Sequence, residues 1–136
     1  MHKIFVYSQT HFPINRKKIK QTVKQTLEQQ GITSIAEVTI NFVGDRKMTQ
    51  LHEKYLHEPG TTDVLSFPLT NLIKKKLGEI EFPYEEREEA IRLGDIVISY
   101  PQAQRQAAQH NLLVDEEINK LVEHGLLHLL GIHHDE

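Results

Sequence analysis

The sequence predicts an α+β domain with a single mixed β-sheet of about four strands, helices packed on it, and a metal site on the C-terminal helix and following turn. Three observations carry this. Segments with two-residue alternation and segments with apolar residues every three or four positions follow one another in the order β-α-β-α-β-β-α-α. No apolar run reaches the length of a membrane span. Four of the nine histidines, His124, His128, His133 and His134, crowd the C-terminal end.

Lys3 to Ser8 alternates Ile4 and Val6 with Phe5 and Tyr7 and reads as a strand. Asn15 to Gln30 reads as a helix: Asn15 can cap it, Ile19, Val23 and Leu27 recur every four residues, and Gly31 ends it. Glu37 to Val43 sets Val38, Ile40 and Phe42 against Thr39 and Asn41, a strand with one wetter face. Asp45 to His57 is a short helix with Met48, Leu51 and Tyr55 on one side, and Pro59-Gly60 marks a turn.

Thr62 to Leu69 then reads as a strand that Pro68 places near an edge or at its end. Residues 70 to 90 are mostly charged and are expected to form an exposed excursion. Leu93 to Ser99 is a compact buried strand. Pro101 to Gln109 is a helix rich in Ala and Gln with Pro in its first turn. Asp115 to Leu130 is the last helix, with Asp115 expected as its N-cap and Glu116 and Glu117 in its first turn. With no internal repeat and no Gly/Ser linker, residues 1–136 read as one domain.

The composition narrows the function classes. A formal charge of −3 gives no overall basic signature of nucleic-acid binding. The absence of cysteine excludes a disulfide framework and a thiolate metal site. The first ten residues carry no signal-peptide pattern, so the expected location is the cytoplasm, without a membrane.

The chemistry concentrates in the segment His124 to His134, which has the pattern H-x3-H-x2-G-x2-H. Residues four apart on a helix share one face, about 5–6 Å from each other. His124 and His128 can therefore turn toward one ion. Gly131 lets the helix stop and the chain turn back, and His134 can close the site from a third direction. Neutral imidazole is a good zinc ligand, and three protein ligands leave one tetrahedral position open for water, the arrangement of catalytic zinc. Bound zinc lowers the pKa of water from ~15.7 to roughly 7. A structural zinc with His133 or Asp135 as fourth ligand is the alternative. The helix around the pair is apolar (Leu121, Val122, Leu126, Leu127, Leu129, Leu130), so two imidazoles in it would need partners. Gly125 in mid-helix costs about 1 kcal/mol relative to Ala and is expected to let another backbone come close.

The spacing matches the metzincin peptidase signature H-E-x-x-H-x-x-G-x-x-H except at its second position. Those enzymes place a glutamate general base there, and here Gly125 can take no proton. The only methionines are Met1 and Met48, so no methionine turn follows the site. A metal frame is expected without the peptidase apparatus.

The segment HGLLHLLGIHH at His124 to His134 resembles the hallmark of the YbeY family, bacterial rRNA maturation factors. TTDVLSFP at Thr61 to Pro68, the short helix and turn before it, LGDIVIS at Leu93 to Ser99 and the Ala/Gln-rich helix after that also resemble this family, in order along nearly the whole chain. The resemblance implies a zincin-like (metzincin-like) α+β fold and one zinc per chain held by His124, His128 and His134. It implies a single-strand-specific endoribonuclease acting on rRNA, in small-subunit 3′-end maturation and ribosome quality control, with the ribosome or a small-subunit precursor as partner. A ribosome-assembly factor with a mainly structural zinc is the alternative.

Two positions depart from the family pattern. Leu56 follows Tyr55 where the family often has arginine, and His133 stands where an acidic residue is usual. Cations that could meet RNA phosphates are Arg16, Lys17, Lys18, Lys20 and Lys24 on the first helix and Lys74, Lys75 and Lys76 in the excursion; a solvated surface is their other reading. The strip Glu85, Glu86, Glu88 and Glu89 would repel RNA. Asp63, Ser66 and Asp95 lie on strands that the family places near the cleft and can orient a water or a ligand, or serve only as strand-end residues.

Overall fold

The structure, a computed structural model, describes residues 2–69 and 91–132. The elements are β1 (Lys3–Ser8), α1 (Arg16–Gln29), β2 (Ala36–Val43), α2 (Asp45–Leu56), β3 (Val64–Pro68), β4 (Ile91–Ser99), α3 (Tyr100–His110) and α4 (Val114–Leu129). The expected charged excursion at 70–90 lies outside the described residues. The four strands form one sheet in the order β1-β2-β4-β3. β1 pairs with β2 and β2 with β4 in parallel, while β3 runs antiparallel to β4. The α+β class and the single mixed sheet are therefore as the sequence predicts.

Local chemistry sets most of the boundaries. The Asn15 side chain accepts the Lys18 N–H at 3.0 Å and starts α1, and Gly31 at φ +75° turns the chain out of it. Ser99 accepts the Gln102 N–H at 3.2 Å and starts α3, whose Pro101 lies in the first turn. The last helix is capped two residues earlier than expected. It begins at Val114 with Leu113 as its N-cap, and Asp115 sits in the first turn. Leu113 has no side-chain acceptor, so only the reverse half of a capping box forms: its N–H donates to Glu116 Oε1 at 2.9 Å. Asp115, Glu116 and Glu117 still place their charges at the favourable end of the helix dipole.

The strand alternation sorts residues between two faces. Ile4, Val6, Val38, Ile40, Phe42, Ile96 and Ile98 point into the main core, where α1 and α4 supply Ile19, Val23, Leu27, Ile118, Val122, Leu126 and Leu129. α2 covers part of the other face, where Met48 joins Val43, Leu65 and Val97 in a smaller cluster. At the start of β2, the Ala36 N–H donates to His2 Nδ1 at 3.0 Å. Burial holds the pKa of this histidine below its ordinary value, in keeping with the neutral ring that an acceptor nitrogen requires.

β3 and β4 are closely joined at Gly94. The register of β4 against β2 shifts there, and Gly94 has φ +140°. A Cβ at this position would lie 2.2 Å from the Phe67 carbonyl oxygen and 3.1 Å from Leu129 Cδ2. The missing side chain lets the β3 backbone and the end of α4 meet over β4.

Candidate metal centre

α4 crosses the end of the sheet formed by β4 and β3, and its histidines lie on the rim of that contact. The rings of His124 and His128 have centroids 4.4 Å apart and planes tilted by 44°. One helical turn thus brings two imidazoles side by side, as the four-residue spacing predicts. Their environment is wetter than the apolar sequence around them implies: His124 is exposed and His128 half-buried. The leucines between them, Leu126 and Leu127, turn inward and leave the imidazoles at the surface edge.

At Gly125 the helix is pressed against the sheet. An added Cβ would stand 2.9 Å from Ile96 Cγ2 and 3.2 Å from Ser66 Oγ. The close neighbours are side chains of β4 and β3, which corrects the expectation that another backbone approaches here. Ser66 adds a specific tie by donating its hydroxyl to the Gly125 carbonyl at 3.1 Å. A side chain at 125 would point into the sheet contact, so this position offers no room for the general base that metzincins carry there.

Gly131 has φ +79° and ends the helix region, with its N–H donating to the His128 carbonyl at 3.0 Å. The chain therefore turns directly after the pair. His133, His134 and Asp135 lie outside the described residues, and among the described residues no set of three His, Cys, Asp or Glu gathers to hold a metal. The two neighbouring imidazoles and the turn behind them fit a zinc site in donor chemistry and in spacing.

A family model described as Endoribonuclease YbeY matches residues 5–136. This chain belongs to the YbeY family. The endoribonuclease YbeY of Desulforamulus reducens is 44% identical over 118 residues, which span 87% of this chain and 72% of that protein. That of Thermobifida fusca is 33% identical over 133 residues, spanning 98% of this chain and 81% of that one. A solution structure of a protein from Thermotoga maritima has the same fold, with a TM-score of 0.61 at 20% identity over 97% of this chain and 75% of that chain.

The remaining residues singled out in this YbeY-family sequence separate into different roles. Ser66 reaches α4. Asp63 instead accepts from Gln106 Nε2 at 3.2 Å, and its carbonyl accepts the Ser99 N–H at 2.9 Å, so it fastens the start of β3 to α3 and β4. Asp95 stands opposite Phe67 on the face of the sheet away from Ser66. Arg16 donates to the Val6 carbonyl on the sheet edge, while Lys17, Lys18, Lys20 and Lys24 are exposed on α1. Lys74, Lys75, Lys76 and the strip Glu85 to Glu89 lie outside the described residues.

The turn into β3 is tied down by His52, which is buried on α2. Its Nδ1 is 3.0 Å from the Gly60 carbonyl oxygen and its Nε2 3.2 Å from Glu58 Oε1. His57, at φ 57°, ends α2 one residue after Leu56. Tyr55 packs edge-on against Phe67 with centroids 5.3 Å apart. Leu56 is half-exposed beside it.

The Gly125 contact has an energetic consequence. Alanine favours a helix interior over glycine by ~1 kcal/mol, but forcing a methyl against a filled core costs about 1–3 kcal/mol. Gly125→Ala is expected to lower stability by a net of up to ~2 kcal/mol, read by urea denaturation. A variant as stable as the parent would mean that α4 and β4 have slack between them.

Proposed function

We propose that this protein is a single-strand-specific, zinc-dependent endoribonuclease of zincin-like fold. It acts in small-subunit rRNA 3′-end maturation and ribosome quality control, in the cytoplasm and on the ribosome or its small-subunit precursor. The observation that carries this reading is the pair of adjacent imidazoles, His124 and His128, on the helix of a YbeY-family chain. The relatives are named endoribonuclease YbeY, which supports RNA as the substrate.

His124, His128 and His134 would hold one zinc. Bound there, it supplies Lewis-acid polarisation of water and phosphate oxygen at neutral pH. The chain's own part is to fix the imidazoles. α4 sets the two rings one turn apart, Gly131 turns the chain so that position 134 can return, and the Ser66–Gly125 tie holds the helix at a fixed depth on β3. Peptidase chemistry is disfavoured by the direction of position 125, which faces Ile96 and Ser66.

Leu56 favours a second reading, a ribosome-assembly factor in which zinc mainly braces the fold. A half-exposed leucine stands where the family often carries a cation, and leucine cannot meet a phosphate.

Metal analysis and an RNA assay decide between these readings. His124→Ala, His128→Ala and His134→Ala are each expected to lose the single zinc, and His133→Ala to keep it. The parent is expected to cut single-stranded RNA, and a chelator to stop cleavage while circular dichroism shows the fold intact. Loss of zinc in His133→Ala would reassign the third ligand, and a folded, zinc-loaded protein with no cleavage would leave the assembly-factor reading.

A phosphate-binding arginine commonly contributes about 2.7–4 kcal/mol to a transition state when it acts as such a contact. Leu56→Arg is therefore expected to raise single-turnover cleavage by roughly 10²-fold at unchanged zinc content. A parent rate equal to that of a stably folded Leu56→Arg would show that a cation at 56 is not what limits the reaction.

A further inference from the structure

The first helix and the 74–76 run are the basic segments that stand out in the sequence, yet the fold makes another surface basic. On α2, Arg46, Lys47, Gln50 and Lys54 are all exposed; Arg46, Gln50 and Lys54 recur every four residues and Lys47 stands three before Gln50, which puts them along one side of the helix. The acids around them are turned to other partners. Asp45 pairs with Arg105 at 2.7 Å and accepts from Ser99 Oγ at 3.1 Å. Glu58 pairs with His52, and Glu53 Oε2 accepts the Gly60 N–H at 3.4 Å. None of the ion pairs among the described residues involves Arg46, Lys47 or Lys54. Glu53 stays exposed and charged, but α2 carries three cations, Arg46, Lys47 and Lys54, against two carboxylates, of which Asp45 is paired with Arg105, so its outward charge is positive.

Next to Lys54, on the side of α2 that also carries Met48 and Leu51, stands an aromatic pair. Tyr55 is 50% exposed and meets Phe67 edge-on at 71°, and Lys54 Nζ lies over the Tyr55 ring, 5.3 Å from its centre, so a base that stacks on that face moves this flexible side chain aside. Phe67 belongs to β3, which is the edge strand of the sheet among the described residues. Asp95 stands opposite Phe67 on the β4 side, away from that edge. The residue before Phe67 is Ser66, whose side chain takes the other face of the strand and bonds α4 between the two imidazoles. The aromatic pair and the histidine-bearing helix thus lie on opposite faces of β3.

We propose that the outward side of α2 and the Tyr55–Phe67 pair form a seat for unpaired RNA, with phosphates along Arg46, Lys47 and Lys54 and one base stacked on Tyr55. This rests on the reading of the protein as an endoribonuclease for single-stranded RNA, and it names where that strand is held. Every base has a π-face, so stacking on an exposed tyrosine binds single strands with little regard for sequence. A duplex keeps its bases stacked on each other and leaves none for Tyr55. The seat therefore selects for single strands, and an RNA leaving it over the edge of β3 runs toward His124 and His128.

Fluorescence anisotropy with a short, labelled, unstructured RNA tests this on the full protein as purified, with the RNA checked for intactness on a gel. Tyr55→Leu keeps an apolar contact with Phe67 and removes the π-face, and it is expected to weaken binding about tenfold. Tyr55→Phe is expected to bind within about twofold of the parent, because phenylalanine stacks equally well. Replacing Arg46, Lys47 and Lys54 together by Gln is expected to flatten the log–log salt dependence by about 2, at ~0.7 per phosphate contact.

Unchanged RNA affinity in a folded Tyr55→Leu overturns the seat. That is also the outcome if the patch serves a protein partner or if α1 alone holds the RNA. Absence of RNA binding by the parent overturns it as well. Tyr55-dependent binding without cleavage supports the seat and contradicts the nuclease reading. Cleavage of single-stranded RNA with Tyr55-independent binding does the reverse.

Discussion

The close approach of α4 to the sheet at Gly125 is the contact on which the rest of the arrangement depends. Ile96 and Ser66 fill the space that a side chain at 125 would need, and the Ser66 hydroxyl bonds the Gly125 carbonyl. With the helix at this depth, Ile118, Val122, Leu126 and Leu129 reach the core against Ile96 and Ile98. The same rotation brings His124 and His128 to the rim beside β3. Burial of the apolar face and presentation of the imidazoles are thus two results of one packing contact. Gly94 performs the complementary task on β4, where the β3 backbone and Leu129 converge over a residue with no side chain.

The glycine at the second position of the histidine motif has chemical as well as packing meaning. In metzincins that position carries the proton-transferring carboxylate. Here it belongs to the interface between helix and sheet, so the same metal-ligand spacing is separated from peptidase machinery by a packing constraint. The affinity of the chain with endoribonuclease YbeY proteins agrees with that separation. What the fold adds is a route for a substrate. Among the described residues, β3 is an edge strand tied to α4 through Ser66 on one face and to α2 through Phe67 and Tyr55 on the other.

Much of this was legible in the chain itself. Periodicity located all eight elements of the described residues, because strands with one buried face and helices with an apolar stripe write their geometry into residue order. The capping roles of Asn15 and Ser99 differ in how visible they were. Asn15 precedes a clear helical pattern, whereas Ser99 is also the last residue of a buried strand. The cap of α4 was misplaced by two residues because Asp115 is a good cap by type, but Leu113 occupies the position. Sequence also could not show that His124 is exposed, since an apolar helix sequence does not say which turn overhangs the sheet edge. The basic side of α2 was hidden because its acids have partners outside the helix: Asp45 pairs with Arg105, sixty residues away, and Glu53 accepts the Gly60 N–H. Arg16 shows the opposite case, a cation that the fold commits to the Val6 carbonyl.

In the proposed function, His124, His128 and His134 hold one zinc with a position left open for water. X-ray absorption at the zinc edge of the loaded protein tests it most directly. The expected first shell is three imidazole nitrogens and one water oxygen at about 2.0–2.1 Å. A closed shell of four protein ligands, or one with fewer than three imidazoles, would contradict it.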